Sequence, residues 1–363
     1  MPDLLIPNRD VLALLETAVQ AISAQLDSRN PVPQERALRA LQEAKSPADQ
    51  NALVLFYRSI LADLLGQYED AAHSLRRLMN EALLKDTRWF EQIINNLHVV
   101  DYQVLRRQAV LHPAEEKYKE EIRNALAKVF PNNDDESSVA HRDALYARFL
   151  ALTCRPAQDT ELKTPANQER IERNYQEATI LAGKVLERAA SAPRRELNAG
   201  RTRQRWKEAI AVAYLARGRA RLYYTDLLEN SPSKSRLLED VKQDLTRAYQ
   251  SFPDDYTYVC DLGSYYLRSG HSLRDGESSA GRAEPEFERA RLLFERVLKE
   301  LRPNYGFALF ELGRVFRLWG RQEQALNYLR AAMAIEEARR GITNDRVANQ
   351  IELAEKNDTS TFP

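Results

Sequence analysis

The sequence is short of the residues from which many catalytic and metal sites are built: it has two cysteines, five histidines and twelve glycines in 363 residues. Two cysteines, Cys154 and Cys260, can form neither a disulfide framework nor a zinc site by themselves. No two histidines stand four residues apart, and no HExxH, GxGxxG or GxxxxGK[ST] pattern occurs. We therefore expect no metal and no cofactor, and neither a dinucleotide-binding site nor a P-loop.

The chain also lacks an excess of either charge, because lysine plus arginine and aspartate plus glutamate both total 53. Its overall charge therefore favours neither nucleic acid nor a membrane surface, and only a local cluster could do so. No apolar run reaches the roughly 20 residues of a membrane helix. The first residues, MPDLLIPNRD, lack the basic-then-apolar order of a signal peptide. Together with the scarcity of cysteine, these features predict a cytoplasmic protein.

What the sequence has in abundance is helix-forming residues in repeated helix-turn-helix patterns. The segment LLGQYEDAAHSLRRL, from Leu64 to Leu78, aligns with LWGRQEQALNYLRAA, from Leu318 to Ala332. In each segment a glycine ends the first helix, because glycine tolerates the left-handed backbone, and a small alanine lets the second helix pack back closely. The shared residues are Gly66 and Gly320, Glu69 and Glu323, Ala71 and Ala325, and Leu75 and Leu329.

A second pattern connects residues 259–266, VCDLGSYY, with residues 309–316, LFELGRVF. This order resembles the tetratricopeptide repeat, in which aromatic-x2-Leu-Gly-x2-Tyr is followed by Ala-x3-Phe and then Pro. The resemblance is clear at about 53–84 and 240–333 and degenerate between them. The matching residues are Val259, Leu262, Gly263, Tyr266, Ala290, Phe294 and Pro303 in one copy, and Leu309, Leu312, Gly313, Phe316, Ala325 and Leu329 in the next. It implies an all-α fold, a right-handed α-solenoid of antiparallel helix pairs that holds other molecules along a groove.

We divide the chain into an N-terminal region of helical hairpins (1–130), degenerate helical repeats (131–230), C-terminal repeats (231–340), and a terminal helix and tail (341–363). Gly263 and Gly313 are 50 residues apart, whereas the family's repeat is about 34 residues. The excess lies in HSLRDGESSAGRAEP, residues 271–285, which we predict to be a long, mobile loop that contributes contacts to a partner. The acidic segment PNNDDESS, residues 131–138, is predicted to be a turn that caps the following helix.

The resemblance also implies which residues face the groove. In the last two repeats these positions fall on Phe307, Phe310, Arg314, Arg317, Thr257 and Ser264. Some members of the family clamp a peptide carboxylate at such positions with Lys, Asn and Arg, and that arrangement is absent here. The basic and aromatic strip is instead predicted to hold an extended acidic peptide or a partner helix. The alternative is that the two phenylalanines belong to the core and the two arginines are simply solvated.

A basic cluster lies earlier in the chain, where residues 194–221 contain nine positive and two negative side chains. Its candidate binding residues are Arg201, Arg203, Arg205, Lys207, Arg217 and Arg221. Arginines and lysines of this kind bind phosphate backbones. However, Arg217 and Arg221 point to different sides of a helix than Arg219, which disfavours a single patch.

No set of residues is defensible as a catalytic site. A dyad of Cys260 and His271 would supply a nucleophile and a base, but the simpler interpretation makes Cys260 a small core residue. We therefore expect no enzyme activity. The leading hypothesis is a scaffold or adaptor, for a protein or peptide partner of acidic character, and no membrane partner is expected. The alternatives are a regulatory subunit or substrate of a partner protease or nuclease, and an RNA-binding helical repeat that uses residues 194–221.

Overall fold

The computed structural model describes residues 9–28, 32–43, 52–79, 88–112, 116–131, 135–155, 164–193, 200–228, 232–274, 280–335 and 344–360. Within these ranges the regular elements are helical and no strand is found. The helices are α1 (Arg9–Ser28), α2 (Val32–Gln42), α3 (Ala52–Leu65), α4 (Tyr68–Met79), α5 (Arg88–Leu111), α6 (Lys117–Val129), α7 (Glu136–Thr153), α8 (Pro165–Ser191), α9 (Gly200–Tyr224), α10 (Pro232–Ser251), α11 (Tyr256–Arg274), α12 (Ala280–Arg296), α13 (Gly306–Leu318), α14 (Gln322–Met333) and α15 (Asn344–Glu355). None of them combines the length and the apolar character that crossing a lipid bilayer requires.

The chain divides into two compact units. Unit 1 comprises Met1–Arg106 with Lys119–Pro131, and unit 2 comprises Arg107–Tyr118 with Asn132–Pro363. In both units, helices that are consecutive in sequence pack side by side. The predicted fold class, an all-α solenoid built from helix pairs, is confirmed.

Unit 1 contains the hairpin of α3 and α4, which the repeated glycine pattern predicts. Gly66 has a φ of 75°, the left-handed conformation that ends a helix. The turn is closed by a hydrogen bond from the Gln67 amide to the Ala62 carbonyl, 2.8 Å long. Ala71 and Leu75 of α4 are buried in the core of this unit, so the small alanine stands where the two helices meet.

Unit 2 repeats this hairpin twice, as α11 with α12 and α13 with α14. Gly320 ends α13 with a φ of 78°, and the Arg321 amide donates to the Phe316 carbonyl at 2.8 Å. The signature glycines are sites of close packing. A Cβ on Gly263 would lie 2.9 Å from the ring of Phe294, and one on Gly313 would lie 2.6 Å from Cγ of Leu329.

The predicted loop at 271–285 is shorter in the structure. Helix α11 continues through Arg274 and α12 begins at Ala280, while residues 275–279 lie outside the described residues. Leu273 packs against the hydrophobic core, which favours the extra helical turn despite the polar composition. Pro285 lies inside α12, where its ring nitrogen cannot donate the helical hydrogen bond of that position.

The predicted acidic cap before α7 is confirmed at Asp135. This residue is the N-cap, and its carboxylate accepts hydrogen bonds from the Ser137 amide at 3.0 Å, the Ser137 hydroxyl at 2.6 Å and the Ser138 hydroxyl at 2.8 Å. Burial opposes ionisation, but these hydrogen bonds prevail and lower the pKa of Asp135 to about 2. Such bonds satisfy amide protons that the first helical turn leaves without partners.

The Asp135 cap should make the free energy of unfolding depend on pH. Asp135→Asn should remove that dependence. Because the pKa in the folded state is below that of the unfolded chain, its stabilisation is complete above about pH 4 and is lost as pH falls toward about 2. Because a charged acceptor makes stronger hydrogen bonds than a neutral amide does, we expect wild type to exceed the variant by about 1 kcal/mol in free energy of unfolding at pH 5, and by less at pH 3. Urea denaturation at both pH values measures this. A difference that stays constant with pH would contradict it.

Candidate partner-binding site

The predicted groove residues of α11 belong to a buried polar stripe. Thr257, Asp261, Ser264 and Arg268 follow one another at intervals of four, three and four residues, so they share one side of the helix. All four are buried. We call these residues the polar face of α11. Charged side chains are seldom buried unless they are paired. Asp261 and Arg268 therefore require partners on the elements that pack against α11.

The charged members of this face pair with α9 and with the turn that follows it. Asp261 accepts two hydrogen bonds from the guanidinium of Arg219, and both side chains are 1% exposed. Arg268 donates to both carboxylate oxygens of Asp226, at 3.1 and 3.0 Å, and lies 5.4 Å from the centre of the Tyr223 ring. Burial alone would lower the pKa of Arg268, but the Asp226 carboxylate raises it above its ordinary value. Arg268 therefore carries its charge near neutral pH.

Helix α13 brings a second set of charges to the same region of unit 2. Glu311 lies 3.1 Å from the guanidinium of Arg314 and 3.7 Å from that of Arg155, just beyond the end of α7. The Arg155 guanidinium also lies 5.6 Å from the centre of the Phe307 ring. Arg314 in turn lies 5.7 Å from the Phe310 ring. Cation and ring contacts of this kind strengthen when water is excluded.

Arg317 is held by the segment that contains α15. Its guanidinium donates to the Gln350 side chain at 3.0 Å and to the Asp358 carbonyl at 2.5 Å. Burial and the neighbouring charge of Arg314 lower the pKa of Arg317 to about 10, although the Asp358 carboxylate acts in the opposite direction. The side chain thus remains charged at neutral pH in a place where positive charge is unfavourable.

The structure therefore brings the predicted groove residues together in unit 2 and also covers them. Thr257, Ser264, Phe307, Phe310, Arg314 and Arg317 are all buried. The covering groups, which sequence reasoning missed, include Arg155, Tyr223 and Asp226. A partner reaches the predicted positions only by displacing such a cover, so their role in binding stays a prediction. In the sequence, the only sign of this buried polar face is the alternation of charge along α11. Such alternation is equally typical of a helix face exposed to solvent.

The basic cluster is spread over α9 and is largely matched by carboxylates. Arg205 pairs with Asp135 at 2.6 Å. Arg217 donates twice to Asp244, at 2.9 and 2.7 Å, and Arg221 donates to the same carboxylate at 2.8 Å. The hydrogen bonds to Asp244 raise the pKa of Arg217 above its ordinary value.

The remaining members of the cluster lie near the start of α9. Arg203 and Lys207 are exposed, and the Lys207 ammonium lies 4.7 Å from the Phe252 ring centre. Nothing is described for the Arg201 side chain. The exposed positive charge is therefore confined to the first turns of α9, and the later arginines are engaged within the chain.

The described residues offer no metal centre, since no group of three or more His, Cys, Asp and Glu side chains among them could hold an ion. Cys154 and Cys260 are buried thiols. Cys260 belongs to the hydrophobic core between the last helices, as the simpler sequence interpretation predicts.

Ser264 provides a test of how the polar face is built. Its hydroxyl is buried, and it has no hydrogen-bond partner among the described residues. Because a buried polar group without a partner costs about 1–3 kcal/mol, we expect Ser264→Ala to raise the free energy of unfolding by about 1 kcal/mol. Urea denaturation followed by circular dichroism measures the change.

The matched control is Ser74→Ala in α4. Ser74 is equally buried, but its hydroxyl donates to the Asp70 carbonyl at 2.9 Å, so its loss should not stabilise the chain. If Ser264→Ala destabilises as much as the control or more, the Ser264 hydroxyl has a partner and the interpretation is wrong.

A comparison with protein families supports the repeat pattern in the C-terminal part of the chain. Residues 275–338 match the family model of the tetratricopeptide repeat, which confirms the resemblance in that part of the chain. A tetratricopeptide repeat protein from Parabacteroides merdae is 12% identical, with a TM-score of 0.41 over 96% of this chain and 100% of that one. A human IFIT1 dimer with m7Gppp-AAAA is 13% identical, with a TM-score of 0.37 over 99% of this chain and 84% of that one. Identities and TM-scores this low say nothing about what this chain binds. No curated protein matches the sequence.

Proposed function

Because this chain carries tetratricopeptide repeats, we propose that it is a non-catalytic scaffold that holds a partner protein through unit 2. The observation that carries the proposal is the buried charge on α11 and α13, represented by Asp261, Arg268, Glu311, Arg314 and Arg317. Stability alone is often served as well or better by apolar residues at such positions. Charged groups held in fixed positions are instead suited to polar recognition of a partner chain.

The charge on these elements supports a partner of acidic character. Arginines outnumber carboxylates among these paired groups. Burial, together with the nearby charges of Arg314 and Arg274, lowers the pKa of Arg317. An acidic segment would relieve this repulsion. The two buried thiols are also compatible with a reducing compartment, and we propose that the protein is cytoplasmic.

RNA binding is the second candidate, and the exposed side chains of Arg203 and Lys207 favour it. Phosphate contacts of this kind weaken steeply as salt rises. The engagement of Arg217 and Arg221 with Asp244 counts against a large patch, so we rank this function below the scaffold.

Affinity capture from host extract, with and without nuclease, separates the two functions. A scaffold is expected to retain the same protein after nuclease treatment, both as wild type and as the double variant Arg203→Glu, Lys207→Glu. The control carries the same change of charge at exposed sites elsewhere, Lys128→Glu with Lys184→Glu. Recovery of nucleic acid that is lost in the first double variant alone would favour RNA binding and overturn the scaffold.

A further inference from the structure

The chain that follows α15 is redirected by a well-defined helix end. Asn357 has a φ of 54°, its amide donates to the Ala354 carbonyl at 2.9 Å, and the Asp358 amide donates to the Leu353 carbonyl at 2.9 Å. This pair of bonds around a left-handed residue is the Schellman motif. It turns residues 358–360 away from the axis of α15 and sets them against α11 and α13.

Three side chains then bind three consecutive main-chain carbonyls. Arg317 donates to the Asp358 carbonyl at 2.5 Å, and Arg274 donates to that of Thr359. His271 Nε2 lies 3.0 Å from the Ser360 carbonyl. These contacts are made to the main chain of residues 358–360 and do not depend on which side chains it carries. Charged donors make such hydrogen bonds stronger than neutral ones do.

The donors come from two repeats, and helix α13 itself fixes one of them. Arg274, at the end of α11, also donates to the Leu318 carbonyl at the end of α13, at 2.5 Å. Arg317 is anchored separately by Gln350 at 3.0 Å. Arg274 and Arg317 therefore have protein partners that hold their geometry independently of residues 358–360. Groups held in this way form a prepared binding site.

Charge in this region favours an acidic occupant. Arg274, Arg314 and Arg317 lie near one another, and burial with these like charges lowers the pKa of Arg317, which the Asp358 carboxylate partly offsets. That carboxylate also accepts hydrogen bonds from the Ser360 amide at 2.8 Å and its hydroxyl at 2.9 Å. The segment thus brings an acidic side chain and a row of carbonyls to a site rich in positive donors.

We propose that residues 358–360 are an internal ligand of a backbone-binding site formed by His271, Arg274 and Arg317, and that an extended, acidic segment of a partner protein takes their place. This inference rests on the proposed scaffold function and names the kind of partner. When no partner is bound, residues 358–360 occupy the site, because the tether gives them an effective concentration of the order of millimolar.

The test uses the full chain with Asn357→Val, which leaves all three donors intact. A β-branched residue is strained in the left-handed conformation, so the variant should loosen the turn and release the segment. Hydrogen exchange of the Ser360 amide reports the release. The probe is a fluorescent, amidated peptide of residues 353–360, and its binding is followed by anisotropy.

We expect the peptide to bind Asn357→Val about tenfold or more tightly than wild type, in which the tethered segment competes. Adding Arg274→Gln should remove most of that gain. Arg274 is only partly buried, so we expect the fold to tolerate this change although its bond to the Leu318 carbonyl is also lost. An unrelated acidic peptide should compete, and a basic peptide of equal length should not.

Two results would overturn the proposal. One is a released segment without any gain in peptide binding, and the other is unchanged exchange at Ser360, which would make the segment a fixed part of the fold. Because the probe comes from this chain, the assay does not need the natural partner. If the peptide binds but affinity capture recovers no partner protein, the backbone-binding site is supported and the scaffold function is refuted.

Discussion

Replacing Asp261 with alanine is expected to lower the free energy of unfolding by about 3–5 kcal/mol, because the buried guanidinium of Arg219 would lose its only carboxylate partner among the described ion pairs. Both side chains are almost completely removed from solvent, so water cannot replace the missing carboxylate. Urea denaturation at neutral pH, followed by circular dichroism, measures the loss.

Two further variants separate this effect from the loss of any ion pair. Asp254 pairs with Arg296 at 2.9 Å but is 62% exposed, so Asp254→Ala should change stability by less than about 1 kcal/mol. The double change Arg219→Met, Asp261→Leu should recover most of the loss, since apolar residues of similar size can replace a buried pair. Equal effects of Asp261→Ala and Asp254→Ala would show that burial of the pair is not decisive.

Alanine at Gly313 is expected to destabilise the chain by about 1–3 kcal/mol, the usual range for overpacking. The new Cβ would lie 2.6 and 2.7 Å from the Leu329 side chain and 3.2 Å from the Leu329 backbone nitrogen. The leucine can change rotamer, but the backbone of α14 can retreat only by moving the whole helix. Thermal and urea denaturation both report the change.

Gly183→Ala in α8 is the matched control. Its expected change in the free energy of unfolding has the opposite sign. Nothing lies within 4 Å of a Cβ built there, so Gly183→Ala gains helix propensity alone, about 1 kcal/mol. If both variants stabilise the chain, the contact between α13 and α14 is looser than the structure indicates.

The sequence was sufficient to predict those parts of the fold that depend on local rules. Gly66 and Gly320 end their helices in the left-handed conformation, as the repeated pattern requires. Gly263 and Gly313 stand where a Cβ would press against a side chain of the second helix of the hairpin. At Gly66 and Gly320 glycine is favoured by backbone geometry alone, so this part of the pattern is readable without any knowledge of the neighbouring helices.

What covers the candidate site could not be predicted, because it depends on contacts between distant segments. Asp261 and Arg268 have the spacing of an ordinary solvated face, and only the placement of Arg219 and Asp226 reveals that they are buried. The composition of the tail after α15, NDTSTFP, likewise gives no sign of an attachment. Its attachment arises from backbone carbonyls, which every residue carries and no sequence pattern records.

The contact from Arg155 to Glu311 and Phe307 governs how unit 2 melts. Helical repeats that touch only their neighbours can fray from an end, one repeat at a time. Here the last hairpin cannot unfold alone without taking Glu311 away from the buried guanidinium of Arg155, and Arg155 lies just beyond α7, far back along the chain. The terminal repeats should therefore lose structure together with the central ones, in a single cooperative transition rather than a progressive peeling.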